Sequence, residues 1–494
     1  MNNKLTLFWF VCLANFTIQA QQPILLQLED VLQRAEEQSP NYFAAKNRAE
    51  NSYWAYRSFR AGLLPQVRLN TALPLYNNNI DRIIQPDGTA LFRARENAFT
   101  SAELSVNQAI ALTGGTFNLR SALQRNRNLQ PVTGTDFFST PFILSYNQPL
   151  ILYNELKWNQ KTRPMLYEES RRRYVEDVER IHIEAVNFFF AALDAQIQVE
   201  VAKLNKANQD TLYELSVGRY NLGKIAENDL LQIELSKLNA DAFLNDALFG
   251  LENSLQSLKR FLGYPMNAEL LLEVPANVPK INPDLTVALL EAAENRQAIM
   301  EFRRIRIEAD QEIARARGTS GIVFQVSGGF GVSDQGSSFQ EVYEGPKQQQ
   351  QFVNVSLGVP IMDWGLMKAR VRQARANREL VEVTVMQDEM AFEQEIQLQV
   401  MRFKQQARQL EIAAKADTVA QKRFEVTKQR YFIGKIDITN LNLAQQEKDQ
   451  ARRAYIQSLR NYWNSYFTLR RLTLYDFEKQ EKLNFRYADL LDSF

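Results

Sequence analysis

Little in this chain invites covalent or metal chemistry. Its 494 residues include one cysteine, Cys12, and one histidine, His182. Cys12 falls within Met1 to Ala20, which reads as a secretory signal peptide. Lys4 supplies the positive end, Leu5 to Phe16 the apolar stretch and Ile18-Gln-Ala20 a cleavage site. The apolar run is shorter than the ~20 residues a membrane anchor needs. A mature chain without cysteine excludes disulfides, thiol nucleophiles and thiolate-bound metal. One histidine on a helical segment, with no partner histidine, reads as a packing or solvated residue rather than a ligand or proton-transfer group. Excess charge is missing too. Lys and Arg number 58 against 57 Asp and Glu, so no footprint for nucleic acid or an anionic membrane surface exists. Gly114-Gly115 and Gly328-Gly-Phe-Gly331 lack the Lys-Ser/Thr of a phosphate loop and read as turn and strand glycines. No catalytic residue, metal or cofactor is expected. No later segment is apolar enough for a membrane helix, so the chain can enter a bilayer only as a β-barrel.

What the chain does have is an internal repeat. Arg219-Tyr-Asn-Leu-Gly-Lys-Ile-Ala-Glu-Asn-Asp-Leu230 returns as Arg430-Tyr-Phe-Ile-Gly-Lys-Ile-Asp-Ile-Thr-Asn-Leu441, at a shift of 211 residues. Ser145 and Ser356, Pro149 and Pro360, Leu258-Lys-Arg260 and Leu469-Arg-Arg471, and Tyr264 and Tyr475 keep the same shift. Anchors at separated places in one register indicate duplication. Each Arg-Tyr segment ends one long polar helical pattern and starts another. Gly223 and Gly434 suit the left-handed residue that closes a helix, and Asn228 and Thr439 suit the N-cap of the next. Each copy therefore reads as the tip of a helix hairpin.

Along the chain, residues from about 24 to 62 read as helical, with Ser39-Pro40 as an internal start. Strands are expected within 66–150, with turns at Asn77-Asn-Asn79, Pro86-Asp-Gly88 and Thr113-Gly-Gly115. A helix follows from about Asn154 to Val217. Val178, Ala185, Ala192 and Val199 form one apolar seam in it, with Ile181, Phe188, Ala195 and Ala202 beside it. A shorter helix runs to Leu262, and 263–283 reads as a linker between halves. The second half, 284–474, repeats the plan with strands in 322–360, and 475–494 is a tail. Long helices of roughly 60 to 65 residues measure on the order of 95 Å and the short ones about half that, so two short helices end to end match one long one. The starts of the halves align at a shift of 257, against 211 later. The first half thus holds 46 extra residues between Arg60 and Pro149. Residues 101–123 are the natural candidate, read either as added barrel strands or as an extracellular hairpin.

Leu64-Pro65, Gln148-Pro-Leu150, Leu262-Gly-Tyr-Pro265, Pro360-Ile-Met-Asp-Trp-Gly365 and both Tyr-x-x-Gly tips, taken as an ordered set over the mature chain, resemble the TolC family of outer-membrane efflux proteins. The resemblance implies a mainly α fold with a β-barrel portion. Three protomers would build a twelve-stranded barrel in outer-membrane lipid, continued by a periplasmic α-helical coiled-coil barrel. It implies a homotrimer that passes small molecules or secreted polypeptides from an inner-membrane pump, through a periplasmic adaptor, to the exterior. A structural envelope tether without transport is the alternative. The expected aperture comprises Tyr220, Gly223, Glu227, Asn228 and Asp229 at the first tip. At the second it comprises Tyr431, Gly434, Asp437, Thr439 and Asn440. The family's acidic tip residue is kept as Asp229, whereas Asn440 stands at the matching second position, with Glu227 and Asp437 nearby.

Overall fold

The computed structural model describes residues 24–483 apart from Gly434 and Asp437, and only the backbone of Ile83, Ile151, Ser320, Tyr431, Phe432 and Ile438. The signal-peptide reading, Cys12, most of the tail and those site residues therefore lie outside the described residues. The chain divides into two compact units. One takes the chain up to Ala45 with Glu176–Asp284 and Leu398–Glu481, the other Lys46–Val175, Leu285–Gln397 and the chain from Lys482.

The first half contains β1 (Ile24–Leu26), α1 (Leu28–Gln38), α2 (Pro40–Gly62), β2 (Gln66–Ile84), β3 (Ala90–Ala109), β4 (Thr116–Gln130), β5 (Gly134–Ile151), α3 (Glu155–Asn221) and α4 (Glu227–Leu262). After β6 (Leu270–Leu272), the second half contains α5 (Leu285–Asn295), α6 (Gln297–Ser320), β7 (Val323–Gly336), a single turn α7 (Glu341–Glu344), β8 (Gln348–Gly358), α8 (Leu366–Phe432) and α9 (Ile438–Thr473). The long helices α3 and α8 each have 67 residues, and α4 and α9 each have 36. Both ends of both pairs stand 211 residues apart. At 1.5 Å per residue the lengths are about 100 Å and about 54 Å.

In the first unit the α3 seam is buried where its period places it. Val178, Ala185, Ala192, Val199, Ile181 and Ala202 are all inside, while Phe188 and Ala195 are half-buried. Near its far end Val199 and Ala202 pack with Ala247, Leu244 and Leu251 of α4. Small residues at these positions let helix backbones approach closely. Residues 24–26 depart from the helical expectation. The Gln27 amide donates to Asp30 Oδ2 (2.9 Å), which starts α1 one residue later, at Leu28. The three apolar residues before it pair as a strand, parallel to β6. The segment 263–283 is consequently more than a linker. Gln196 clamps Leu272 by donating to its carbonyl (2.9 Å) and accepting from its amide (3.0 Å). The Arg34 guanidinium lies 3.6 Å over the Tyr264 ring.

The second unit carries an antiparallel sheet in the order β2-β3-β4-β5-β7-β8. The twelve-stranded expectation allots four strands to a protomer, but this sheet has six. The excess is β3 and β4, which occupy the interval where the first half is longer and have no counterpart between β7 and β8. Register shows what each face is made of. Val67 stands opposite Val106, Val106 opposite Leu119, Leu119 opposite Leu144 and Leu144 opposite Phe330. One residue along, the row is Gln66, Asn107, Asn118, Ser145 and Gly329. Opposed residues share a face and successive residues alternate, so from β2 to β7 these rows set an apolar face against a polar one, while β8 places Gln351 opposite Phe330 and Phe352 opposite Gly329. Gly331 sits beside the β5 bulge, where a Cβ would come within 2.7 Å of the Phe142 carbonyl oxygen. It reads as a strand glycine for that reason. At the sheet end where β2 starts, β3 turns into β4 and β8 leaves, Leu64, Leu112, Ile361, Met362 and Trp364 are all exposed, Ile361 by 97% and Trp364 by 91%.

Candidate aperture at the helix-hairpin tips

The first tip is built by backbone geometry. The Gly223 amide donates to the Tyr220 carbonyl (2.8 Å) and the Lys224 amide to the Arg219 carbonyl (2.9 Å). Gly223 has φ +66°, the left-handed residue that lets a helix close on its own carbonyls. At the second tip the Lys435 amide donates to the Arg430 carbonyl, again at 2.9 Å and again at the shift of 211. The two tips therefore close by the same bond, and both belong to the first unit.

The N-cap expectations do not hold. Helix α4 begins at Glu227 with Ala226 as its cap, extended at φ −77° and ψ 157° and without a side-chain cap bond. The amides of Asp229 and Leu230 both donate to the Ala226 carbonyl (3.1 and 3.3 Å). Asn228 therefore lies inside the first turn, and Thr439 likewise lies inside the first turn of α9, which begins at Ile438. The left-handed glycine shortens the connection, so the next helix starts before the polar residue that would have capped it. Glu227 and Asp229 both fall in this first turn, where the positive end of the helix favours carboxylates.

Tyr220, Glu227, Asn228 and Asp229 are exposed, and among the described residues their side chains make no hydrogen bond or ion pair. Thr439 and Asn440 are exposed as well. The first tip, residues 219–230, carries Arg219 and Lys224 beside Glu227 and Asp229. The second, 430–441, carries Arg430 and Lys435 beside Asp437.

Behind the tips, cross-links tie the hairpins together. Lys206 of α3 pairs with Asp241 of α4, and Lys237 with Asp210 (3.2 Å). In the second hairpin Arg452 of α9 pairs with Asp417 of α8 (3.2 Å), and Arg423 with Glu447. Asp417 and Arg452 occupy the positions of Lys206 and Asp241 displaced by 211, with the signs exchanged. Between the hairpins, Gln445 of α9 donates to Asn205 and accepts from Asn208 (3.4 Å) on α3. The exchanged pair is readable once the two halves are set in register, and reading the halves for matches alone passes over it.

A second group missed in the sequence lies deeper in this unit. His182 is 4% exposed and bonds through Nε2 to Glu36. Its Nδ1 lies 3.4 Å from Glu179 Oε1, an ionic contact rather than a well-formed hydrogen bond. Glu179 also accepts from Arg470 (2.9 Å), which pairs in turn with Asp476 (3.3 Å). Burial pushes the His182 pKa down, but the charge of Glu179 and the bond to Glu36 outweigh it and hold the imidazole up at about 9. The ring packs against Phe467, 5.0 Å between centroids. The packing role expected of His182 is therefore filled by a charged group.

The family model for outer membrane efflux proteins matches residues 288–473. The outer membrane protein TolC of Escherichia coli K12 is 24% identical over 220 residues, 41% of this chain; the match spans 43% of that relative's length. Among solved structures, the Campylobacter jejuni CmeC outer membrane channel is similar over 94% of this chain and 88% of its own, with TM-score 0.66 and 15% identity. The outer membrane protein VceC of Vibrio cholerae is similar over 92% of this chain and 97% of its own, with TM-score 0.60 and 12% identity. At such identities the likeness to these two structures shows the fold.

Proposed function

Because the chain belongs to the TolC family of outer-membrane efflux proteins, we propose that three copies form a passive duct across the outer membrane. Small molecules or secreted polypeptides would enter it from an inner-membrane pump joined by a periplasmic adaptor. The observation that carries this reading is the sheet, which sets an apolar face against a polar one in the rows running from β2 to β7 and has open edges at β2 and β8. Among the described residues no helix is long and apolar enough to cross a membrane. A two-faced sheet with no partner for its edges meets the bilayer only by closing with other copies. The band of Leu64, Leu112, Ile361, Met362 and Trp364 suits the level where apolar and aromatic side chains meet the headgroups.

The periplasmic aperture is assigned to the tips, formed by Tyr220, Gly223, Glu227, Asn228 and Asp229 with Tyr431, Gly434, Asp437, Thr439 and Asn440. Threefold repetition would bring the carboxylates of Glu227, Asp229 and Asp437 to one constriction, and such rings attract cations. Arg219, Lys224, Arg430 and Lys435 lie beside them, four basic residues against three acidic ones in each copy, so a cation preference requires the carboxylates to stand nearer the threefold axis than the bases. Purified protein in planar bilayers under a salt gradient tests both parts. A narrow, cation-preferring resting pore is expected, with Asp229→Ala reducing the preference and the block by multivalent cations. No pore, resting or inducible, would leave an envelope tether as the better reading. A pore whose selectivity ignores Asp229→Ala would remove the acidic tip and keep the duct.

A further inference from the structure

The pattern on β3 and β4 carries a conclusion about the width of the duct. Both strands sit inside the sheet. β2 pairs with β3 alone and reaches β5 only through β3 and β4. The hairpin cannot hang outside the wall without detaching β2 from it. Its side chains alternate like those of the other strands. Leu104 and Val106 on β3, and Phe117 and Leu119 on β4, share the apolar face with Val67 and Leu144, and Leu104 and Leu119 are exposed there. Asn107, Asn118, Glu103 and Arg120 fall on the polar face, where Arg120 and Glu103 form an ion pair (3.5 Å). A hairpin standing in water outside the membrane has no reason to keep an apolar stripe in register with its neighbours.

The edges fit each other. β2 and β8 bound the sheet and, with every pair antiparallel and six strands in the order, run in opposite directions. The β8 edge of one copy can therefore pair antiparallel with the β2 edge of the next, leaving no open edge when the ring closes. Resting on the trimeric duct reading above, we propose that β8 of each copy pairs with β2 of a second copy of this chain and that the assembly closes an eighteen-stranded barrel. With strands about 4.8 Å apart and tilted about 40°, eighteen strands enclose a backbone cylinder about 36 Å across, against about 24 Å for twelve. That is the range in which barrels hold an aqueous channel rather than side chains alone. The added lining is polar, with Arg120 and Glu103 offsetting each other, and the wider bore admits bulky polar solutes.

Single spin labels test the wall directly, because the described residues contain no cysteine. Leu104→Cys and Leu119→Cys probe the added strands, Val355→Cys probes β8, and Asn118→Cys the polar face, all in full-length protein reconstituted in lipid vesicles. The expected result is that Leu104→Cys, Leu119→Cys and Val355→Cys collide with dissolved oxygen in preference to a water-soluble nickel chelate. Asn118→Cys should show the reverse. Lipid contact at Val355→Cys but water contact at Leu104→Cys and Leu119→Cys would overturn the eighteen-stranded barrel and leave the duct standing. Water contact at all three apolar-face positions would overturn both. Electron cryomicroscopy of the unsubstituted assembly supplies the count without relying on variants: three copies and eighteen strands are expected, and any other number of wall strands rejects the proposal.

Discussion

His182 carries its charge where burial alone would remove it. The ring is enclosed by α3, α1 and α9 side chains, yet Glu179 and Glu36 supply two carboxylates to one imidazole, and Arg470 offsets the surplus on Glu179. The pKa rises from 6.5 to about 9 on folding. A raised histidine pKa contributes stability that is complete below the unfolded value and is lost as pH climbs through the folded value. The window is therefore pH 6.5 to about 9, and the difference corresponds to about 3 kcal/mol. The measurement is the thermal midpoint of the purified protein against a His182→Asn variant across this range. The unsubstituted protein should hold its largest advantage at and below pH 6.5 and lose it steadily towards pH 9. A constant gap between the two would show that His182 contributes packing alone. Arg304 makes a comparable contact in the other unit, holding the buried Glu169 carboxylate at 2.6 Å; the guanidinium stays charged throughout, and it is the Glu169 carboxyl that burial pushes up.

At the scale of elements, the exchanged pair between hairpins offers a test of what the repeat preserves. Lys206 and Asp241 do in the first hairpin what Asp417 and Arg452 do in the second, so the contact has survived while its polarity reversed. Lys206→Asp should set two carboxylates against each other and speed hydrogen exchange of the tip amides between Arg219 and Asp229 a few-fold. Adding Asp241→Arg, which writes the second hairpin's polarity into the first, should return exchange to the starting rate. Failure of the double variant to recover would mean the pair is incidental to hairpin closure. The repeat also shows what a sequence discloses. The ends of α3, α4, α8 and α9 were legible because the Arg-Tyr tips and the Leu258-Lys-Arg260 and Leu469-Arg-Arg471 ends recur at one shift, and the α3 seam is buried almost residue for residue. The caps were not, because a left-handed glycine and an extended Ala226 set the helix start through backbone bonds, which Asn228 and Thr439 do not advertise. The alternation in 101–123 was visible, but whether such a hairpin joins a wall depends on neighbours far along the chain, here β2 and β5. The contacts of His182 span 146 and 291 residues of sequence through Glu36 and the Arg470–Glu179 pair, beyond the reach of any local pattern.

For the molecule as a whole, the sheet and the proposed assembly stand or fall together. A single copy ends in two long edges, β2 with 19 residues and β8 with 11. Each backbone group left unpaired in hydrocarbon costs several kcal/mol, far more than exposed side chains on one face can offset. Its apolar face is also open: Val353, Val355 and Leu357 of β8, like Val67 and Leu69 of β2, are exposed in the isolated chain. Such a surface in water would draw other edges to it and aggregate. In the closed ring both problems vanish at once, since β8 and β2 of neighbouring copies supply each other's missing bonds and lipid covers the apolar face. The helices face no comparable backbone constraint, since their hydrogen bonds are internal, although α8 leaves Ile412, Val419 and Val426 exposed. Dissociation should therefore cost the protein its strands before its helices. In mild detergent, with assembly state followed by native mass spectrometry and secondary structure by infrared absorption, the antiparallel sheet signal should fall in step with the loss of trimers. The helical signal should persist past that point. A monomer that retains the whole sheet signal would show that the edges are satisfied without a partner, and the barrel would then have to be explained without intersubunit pairing.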